Sequence, residues 1–138
     1  MTLTLHPQQR RQVIEGFGAS GAWWSQIVGG WPQAKRDRIV RLLYGQEGIA
    51  LTIYRYNIGA GSGKEIRDPW RRAETFETAP GRYDWSRDAN AVRILNEICK
   101  TGVEHVILFA NSPPQRMTKS GYAFGRRGSD LSNLREDM

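Results

Sequence analysis

Two periods of hydrophobic residues alternate along the chain and predict a mixed α/β fold. Apolar residues spaced three and four positions apart predict helices over residues 32–44 and 86–100. Runs rich in β-branched and aromatic residues predict strands over residues 49–56 and 103–109. An earlier strand is predicted to end in the glycine-rich residues 15–21. The order strand, helix, strand, helix, strand is typical of parallel strands joined by right-handed crossovers.

The predicted strands are too few to complete a parallel sheet that is covered on both faces. A closed (β/α)8 TIM barrel takes about 250 residues, so we expect residues 13–138 to form its N-terminal part, with about three βα units. Val13 and Ile14 would lead into the first strand, and residues 129–138 would begin a further helix. The alternating residues 3–5 predict a separate short strand, belonging to an accessory sheet or a lid.

Composition excludes several classes of protein. The net charge is +6 over 138 residues, but the arginines are scattered among acidic residues, which argues against a nucleic-acid surface. No stretch suits a membrane helix, and residues 1–12 lack the apolar core of a secretory signal, so we expect a cytoplasmic protein if Met1 is the native start. Cys99 lies on the predicted apolar stripe of a helix and is expected to be buried. His6 and His105 are isolated, so we expect neither a metal nor a cofactor.

Polar and aromatic side chains follow each predicted strand at its carboxyl end. They are Trp23 and Trp24 after the first strand, Arg55 and Asn57 at the second, and Asn111 and Ser112 after the third. Parallel sheets bind ligands at this edge, and indole faces, amides and hydroxyls suit sugars, so these residues predict a carbohydrate site. Structural alternatives exist, since tryptophans anchor cores, arginines form buried ion pairs, and amides and hydroxyls satisfy loop backbone.

Carboxylates are missing from the same positions. None of the three predicted strands ends in Asp or Glu, and the nearest acidic residues are Glu65 and Asp68 in the connection that follows the second strand. Hydrolysis of a glycosidic bond needs two carboxylates about 5 to 10 Å apart. The sequence therefore predicts binding groups without the reacting pair.

A glycine-rich segment offers a different interpretation of the chain. Residues 59–64 (GAGSGK) follow a strand and end in Gly-Lys, as a phosphate-binding loop does. The spacing does not fit, because Ile58 stands where that loop needs Gly and Glu65 where it needs Ser or Thr. Nucleotide binding through Gly59 to Lys64 is therefore the less favoured alternative.

Three motifs in order resemble the N-terminal part of glycoside hydrolase family 30, and most of all its endo-β-1,6-galactanase branch. They are residues 16–24 (GFGASGAWW), residues 55–61 (RYNIGAG), and residues 111–114 (NSPP) with 117–121 (MTKSG). The resemblance implies a (β/α)8 barrel joined to a β-sandwich that borrows an N-terminal strand, for which residues 1–12 would serve. Related sequences often carry an aromatic residue where this chain has Gln115-Arg116, so we expect one of the family's stacking contacts to be missing here.

The resemblance also implies a reaction and a site. The reaction would be retaining hydrolysis of β-linked glycans, with a Glu acid/base and a Glu nucleophile that both lie beyond Met138. The sugar-contacting positions would be Trp23, Trp24, Arg55, Asn57, Asn111 and Ser112, with Arg55 as an orienting donor near the nucleophile. We therefore expect the N-terminal fragment of a β-glycanase, inactive alone, whose partners are an oligo- or polysaccharide and the remainder of its barrel. The alternative is a non-catalytic carbohydrate-binding or degenerate domain.

Overall fold

The computed structural model of the protein describes residues 3–4, 6–59 and 68–121. The elements in chain order are β1 (Gly18–Ser20), α1 (Trp24–Val28), α2 (Gln33–Tyr44), β2 (Ile53–Ile58), a 3-10 helix (Pro69–Arg71), β3 (Glu77–Ala79), β4 (Arg82–Tyr83), α3 (Ala89–Cys99), β5 (His105–Ala110) and a second 3-10 helix (Gln115–Met117).

The main sheet is parallel, and β2 is its central strand, flanked by β1 and β5. Tyr54 pairs with Ala19 on one side and with Val106 on the other, and the ladder continues to Ile58 opposite Ala110. The predicted α/β fold with parallel strands is thus confirmed. Closure of a barrel and the accessory β-sandwich stay predictions.

One face of this sheet carries the hydrophobic core. Tyr54 and Tyr56 of β2 point to this face and are buried against α2 and α3. The Tyr54 ring meets the Tyr44 ring edge to face, with centroids 5.8 Å apart. Ile94 and Ile98, four residues apart on α3, are fully buried in the same cluster. The helical spacing of apolar residues therefore supplies most of the cover for the central strand.

Helix α1 lies against α3 at very short range. A Cβ atom at Gly29, just after α1, would come within 2.1 Å of the Asn90 carbonyl oxygen, so only glycine fits there. Side chains of α3 then fasten α1, because Asn90 Nδ2 donates to the Gln26 carbonyl oxygen (3.0 Å) and Arg93 Nη1 to the Gly29 carbonyl oxygen (2.6 Å). This short helix was not predicted from the sequence, since its five residues are too few to show a period.

The strands begin later than their hydrophobic patterns predict. β2 starts at Ile53 instead of residue 49, because the preceding residues hydrogen-bond to the end of α2. The backbone amides of Ile49 and Leu51 donate to the carbonyl oxygens of Leu42 and Leu43, respectively. Ala50 between them has a positive φ of 48°, which breaks any extended run.

Two further sequence predictions about apolar residues are wrong. The first strand lies within the glycine-rich segment, and Val13 and Ile14, which were expected to lead into it, are exposed. Cys99 is also exposed. The buried face of α3 follows Ala91, Ile94 and Ile98, and Cys99 lies one residue, or about 100°, further around the helix.

The predicted helices are confirmed with small shifts at their N-termini. α2 begins at Gln33 with Pro32 as its cap residue, against a predicted start at Pro32. α3 begins at Ala89 and not at Ser86, because Asp88 has a left-handed conformation with φ of 53°. Asp84, before this helix, accepts a hydrogen bond from the backbone amide of Ser86 (3.0 Å) in a local turn.

The long connection after β2 contains a hairpin that the sequence analysis missed. β3 and β4 pair antiparallel around Pro80-Gly81, and Gly81 has a φ of +68°. Proline followed by a glycine at positive φ is the signature of a type II turn. This dipeptide was therefore the available signal for the hairpin.

Several predictions fall on residues outside the described ranges. No strand is formed by Leu3, Thr4 or residues 6–12, and Leu5 lies outside the described ranges. Of the glycine-rich residues 59–64 only Gly59 is described, and the predicted helix at 129–138 is not. Within the described part of the chain, no helix is long and apolar enough to cross a membrane.

Candidate functional site

The carboxyl ends of the three parallel strands meet at one edge of the sheet. The Gly21 amide, just after β1, donates to the Arg55 carbonyl oxygen at 2.8 Å. The Asn111 amide, just after β5, donates to the Ile58 carbonyl oxygen at 3.3 Å. Both outer exits are therefore hydrogen-bonded to the central strand, which brings the three sets of predicted site residues to the same edge.

Arg55 and Asn57 lie on the sheet face opposite the buried tyrosines, as their alternation in β2 predicts. The Arg55 guanidinium carbon lies 3.6 Å from the centroid of the Phe109 ring on β5. The ion pair considered for Arg55 is not found within residues 3–4, 6–59 and 68–121. Stacking on an aromatic ring holds the guanidinium in place and leaves its hydrogen-bond donors available to a ligand.

Two buried polar atoms at neighbouring strand ends lack a hydrogen-bond partner among the described residues. They are Asn57 Oδ1 at the end of β2 and Ser112 Oγ just after β5. A buried polar atom without a partner costs about 1 to 3 kcal/mol, so such atoms are rare in folded proteins. Their position at the carboxyl edge suits atoms whose partner is a ligand.

The two adjacent tryptophans have different surroundings. Trp24 packs against the hydrophobic core, and its indole nitrogen donates to the Ser20 carbonyl oxygen at 2.9 Å. Its N–H group is therefore used within the protein. Trp23 occupies the cap position of α1 and is half-buried. Of the pair, Trp23 is the better placed to present an indole face to a ligand.

A large apolar groove lies on the other side of the sheet, away from Arg55 and Asn57. It has a volume of about 800 Å³ and is lined by the hairpin aromatics Phe76, Tyr83 and Trp85, by Leu95 of α3, and by Leu108 of β5. Asn111 and Ser112 reach its rim. A right-handed crossover after β5 would place the next helix on this same face, so the groove is suited to packing more than to sugar binding.

Arg116 fastens the loop after β5 to the hairpin. Its Nη2 atom donates to Glu77 Oε2, and the Gly81 amide donates to Glu77 Oε1. The hydrogen bond from Gly81 and the one from Arg116 hold the pKa of Glu77 below its ordinary value. The loop that carries Ser112 is thus tied to a neighbouring element by a charge-assisted hydrogen bond.

A buried carboxyl behind the site was missed by the sequence analysis. Asp88 is 2% exposed and accepts hydrogen bonds from Tyr56 Oη at 2.5 Å and from Gln26 Nε2. Burial raises the pKa of Asp88, and these hydrogen bonds only partly oppose the rise. Burial and the neighbouring Asp88 carboxyl also raise the pKa of Tyr56. The two hydrogen-bond partners of Asp88 are 32 and 62 residues away along the chain, so no local sequence pattern marks this residue.

The described residues show no candidate metal centre. No group of three or more His, Cys, Asp or Glu side chains lies close enough together to hold an ion in residues 3–4, 6–59 and 68–121. The side chains described at the strand ends offer hydrogen bonding, aromatic stacking and one positive charge. These are the means by which proteins bind neutral, hydroxyl-rich ligands.

Two known proteins with similar sequences are an endo-β-1,6-galactanase and an exo-β-1,6-galactobiohydrolase. The chain is 26% identical to an endo-β-1,6-galactanase of Hypocrea rufa, over 94% of this chain and 32% of that protein. It is 24% identical to an exo-β-1,6-galactobiohydrolase of Bifidobacterium longum subsp. longum, over 97% of this chain and 13% of that protein. The chain thus spans a third or less of the length of these relatives.

Solved structures match the fold over the same stretch. A conserved exported protein from Bacteroides fragilis is 33% identical with a TM-score of 0.80, and the match covers 96% of this chain and 30% of that one. The catalytic domain of GH30 xylanase C from Talaromyces cellulolyticus is 25% identical with a TM-score of 0.58, covering 89% of this chain and 30% of that one.

The match to a family model decides the family. The model of O-glycosyl hydrolase family 30 matches residues 1–138, which include all three strand ends and the residues gathered there. The expected family resemblance is confirmed, and the chain belongs to O-glycosyl hydrolase family 30.

Proposed function

We propose that this chain supplies the first three βα units of the catalytic barrel of a retaining β-glycoside hydrolase acting on β-1,6-linked galactan. One observation carries the proposal: in a member of family 30, Asn57 Oδ1 and Ser112 Oγ are buried at neighbouring strand ends without a partner among the described residues. Hydroxyl groups of a bound sugar would donate to both oxygens and remove the cost of leaving them unsatisfied.

The other strand-end residues would complete the binding surface. The Trp23 indole would stack on the C–H face of a sugar ring, and Trp24 would fix the backbone that carries Trp23. The Arg55 guanidinium, held over Phe109, would bind a sugar hydroxyl and stabilise a neighbouring carboxylate in its ionised form. Asn111 is exposed beside Ser112 and would bind a second hydroxyl.

The two reacting carboxylates would come from sequence beyond Met138. A retaining glycosidase places a nucleophile and an acid/base about 5 to 5.5 Å apart. None of β1, β2 and β5 ends in an acidic residue. In this proposal the chain binds and orients the glycan, and the remainder of the barrel carries out proton transfer and nucleophilic attack.

Two measurements test the proposal. The first is saturation-transfer NMR of the 138-residue chain with β-1,6-galactobiose, with a β-1,4-xylo-oligosaccharide as the ligand control. We expect contact with the galactoside that is lost in Asn57→Ala and retained in Arg41→Ala, which removes an exposed ion pair between α2 and Glu47. Equal signals from both sugars would overturn the galactan assignment, and no signal from either would overturn the binding surface.

The second measurement separates a catalytic role from simple binding. This chain would replace the matching third of the Hypocrea rufa galactanase, and release of reducing sugar from β-1,6-galactan would be followed. We expect hydrolysis by the chimera and none by the chain alone. A chimera that folds and binds galactoside without hydrolysing it would favour the alternative, a non-catalytic carbohydrate-binding domain.

A further inference from the structure

The Asp88 carboxyl joins the two elements that carry the predicted sugar contacts. Its two oxygens accept from Gln26 Nε2 on α1 and from Tyr56 Oη on β2. Gln26 lies three residues after Trp23, on the same side of the short helix. Tyr56 lies between Arg55 and Asn57 in the strand, with its ring on the opposite face. One carboxyl therefore touches both elements from behind the site.

The surroundings of Asp88 are unfavourable for stability alone. Within the described residues no cation pairs with it, and the Glu74 carboxyl lies close by, its Oε2 accepting from the Asp88 amide at 2.9 Å. Asp88 also has a left-handed backbone, with φ of 53°. Burying an uncompensated carboxylate and holding a residue in this conformation both cost free energy. Such costs concentrate where a function depends on geometry.

We propose that Asp88 is a positioning residue that fixes α1, and with it Trp23, against the Arg55 and Asn57 positions of β2. The proposal rests on the proposed function for its effect on sugar binding, and on the hydrogen bonds of Asp88 for its structural part. Asn90 bonds to the backbone of the same Gln26, and Arg93 bonds to the Gly29 carbonyl oxygen just after α1. Asp88 adds the link from the Gln26 side chain to β2, and Trp24, two residues before Gln26, bonds to Ser20 at the end of β1.

The first test follows the tryptophans without any sugar. In 15N-labelled protein, the indole Nε1–H resonances of Trp23 and Trp24 report their surroundings directly. We expect Asp88→Asn, Tyr56→Phe and Gln26→Leu to shift both resonances, because each variant removes part of the same connection. Glu97→Gln is the matched control: it breaks the half-buried Arg36–Glu97 pair between α2 and α3 without touching α1. Unchanged indole resonances in the folded variants would overturn the positioning role.

A pH titration distinguishes positioning from a general loss of stability. In the unmodified protein the indole resonances should shift as Asp88 titrates, and this inflection should vanish in Asp88→Asn. The ionisable groups that face Asp88 are Glu74, Tyr54 and Tyr56. Because Asp88 is the proposed titrating group, Glu74→Gln should keep the inflection. If Glu74→Gln abolishes it instead, Asp88 is not the titrating group and the proposal fails.

The second test measures sugar affinity in the same variants. Loss of a hydrogen bond to a buried carboxyl should weaken galactobiose binding about tenfold in Asp88→Asn and leave it unchanged in Glu97→Gln. If no form of the protein binds the sugar, the proposed function fails while the indole data still judge the positioning role. If the sugar binds equally to all variants, positioning fails and the proposed function stands.

Discussion

The two faces of the main sheet are built for different purposes. On one face Tyr54 and Tyr56 are 0% and 4% exposed under α2 and α3, and their rings fill the core. On the other face the same strand presents Arg55 and Asn57. Selection for stability alone would not favour these polar residue types in a central strand. The comparison shows that one strand supplies both packing and a polar surface, and substitutions on the two faces should have separable effects.

The largest expected effect is loss of core packing beneath the tyrosine face. Ile94→Ala should lower the free energy of unfolding by about 3 kcal/mol, because Ile94 is fully buried and the substitution leaves a cavity. Ile107→Ala on the opposite face, where Ile107 is 50% exposed, should cost less than about 1 kcal/mol. Urea unfolding followed by circular dichroism measures both. Similar losses in the two variants would contradict the division between the faces.

A smaller effect tests the hydrogen bond behind β2. Tyr56→Phe should cost about 2 kcal/mol, since it removes a donor from the buried Asp88 carboxyl. Tyr44→Phe is the matched control, because the Tyr44 hydroxyl is buried without a partner in the described part of the chain. That variant should change stability by less than about 0.5 kcal/mol. Equal costs for the two variants would show that the bond to Asp88 contributes nothing.

The pH dependence of stability sharpens the same point. Folding raises the pKa of Asp88 above 3.8, so the folded protein holds this proton more tightly than the unfolded chain does. The Asp88 contribution therefore favours folding at low pH and is lost as the pH rises through the raised pKa. Asp88→Asn should lack this decline in urea titrations from pH 4 upward. Parallel pH profiles of the two proteins would contradict it.

The smallest effect on stability, and a large effect on binding, is expected at the polar face. Arg55→Ala should lower the free energy of unfolding by about 1 kcal/mol, because it removes the stacking on Phe109. Galactoside contacts in saturation-transfer NMR should disappear. Arg41→Ala, on the exposed surface of α2, should alter neither quantity. Retention of sugar contacts in folded Arg55→Ala would remove Arg55 from the site.

Elements with a clear period were predictable from sequence. Helix α2 was predicted to within one residue, because apolar residues at helical spacing and Pro32 mark its course. The start of β2 was not, because the backbone amides of Ile49 and Leu51 donate to the end of α2, and that of Thr52 donates to Phe17 just before β1. Tertiary hydrogen bonds there override residue preference.

The site was predictable in part. Arg55 and Asn57 share a face because side chains alternate along a strand, which a sequence shows directly. The different surroundings of Trp23 and Trp24, and the connection through Asp88, depend on contacts between residues far apart in the chain. Only the assembled helices α1 and α3 bring Gln26 to the Asp88 carboxyl.

The alternation of side chains in β2 also limits how this chain can evolve. Inserting or deleting one residue within Ile53–Ile58 would exchange the faces, so that the guanidinium entered the core and the tyrosines the polar edge. Such an event would destroy the fold and the site together. Sequence changes that alter substrate preference are therefore expected to accumulate in the loops after the strands. The length of these loops can vary without changing the face on which β2 presents each side chain.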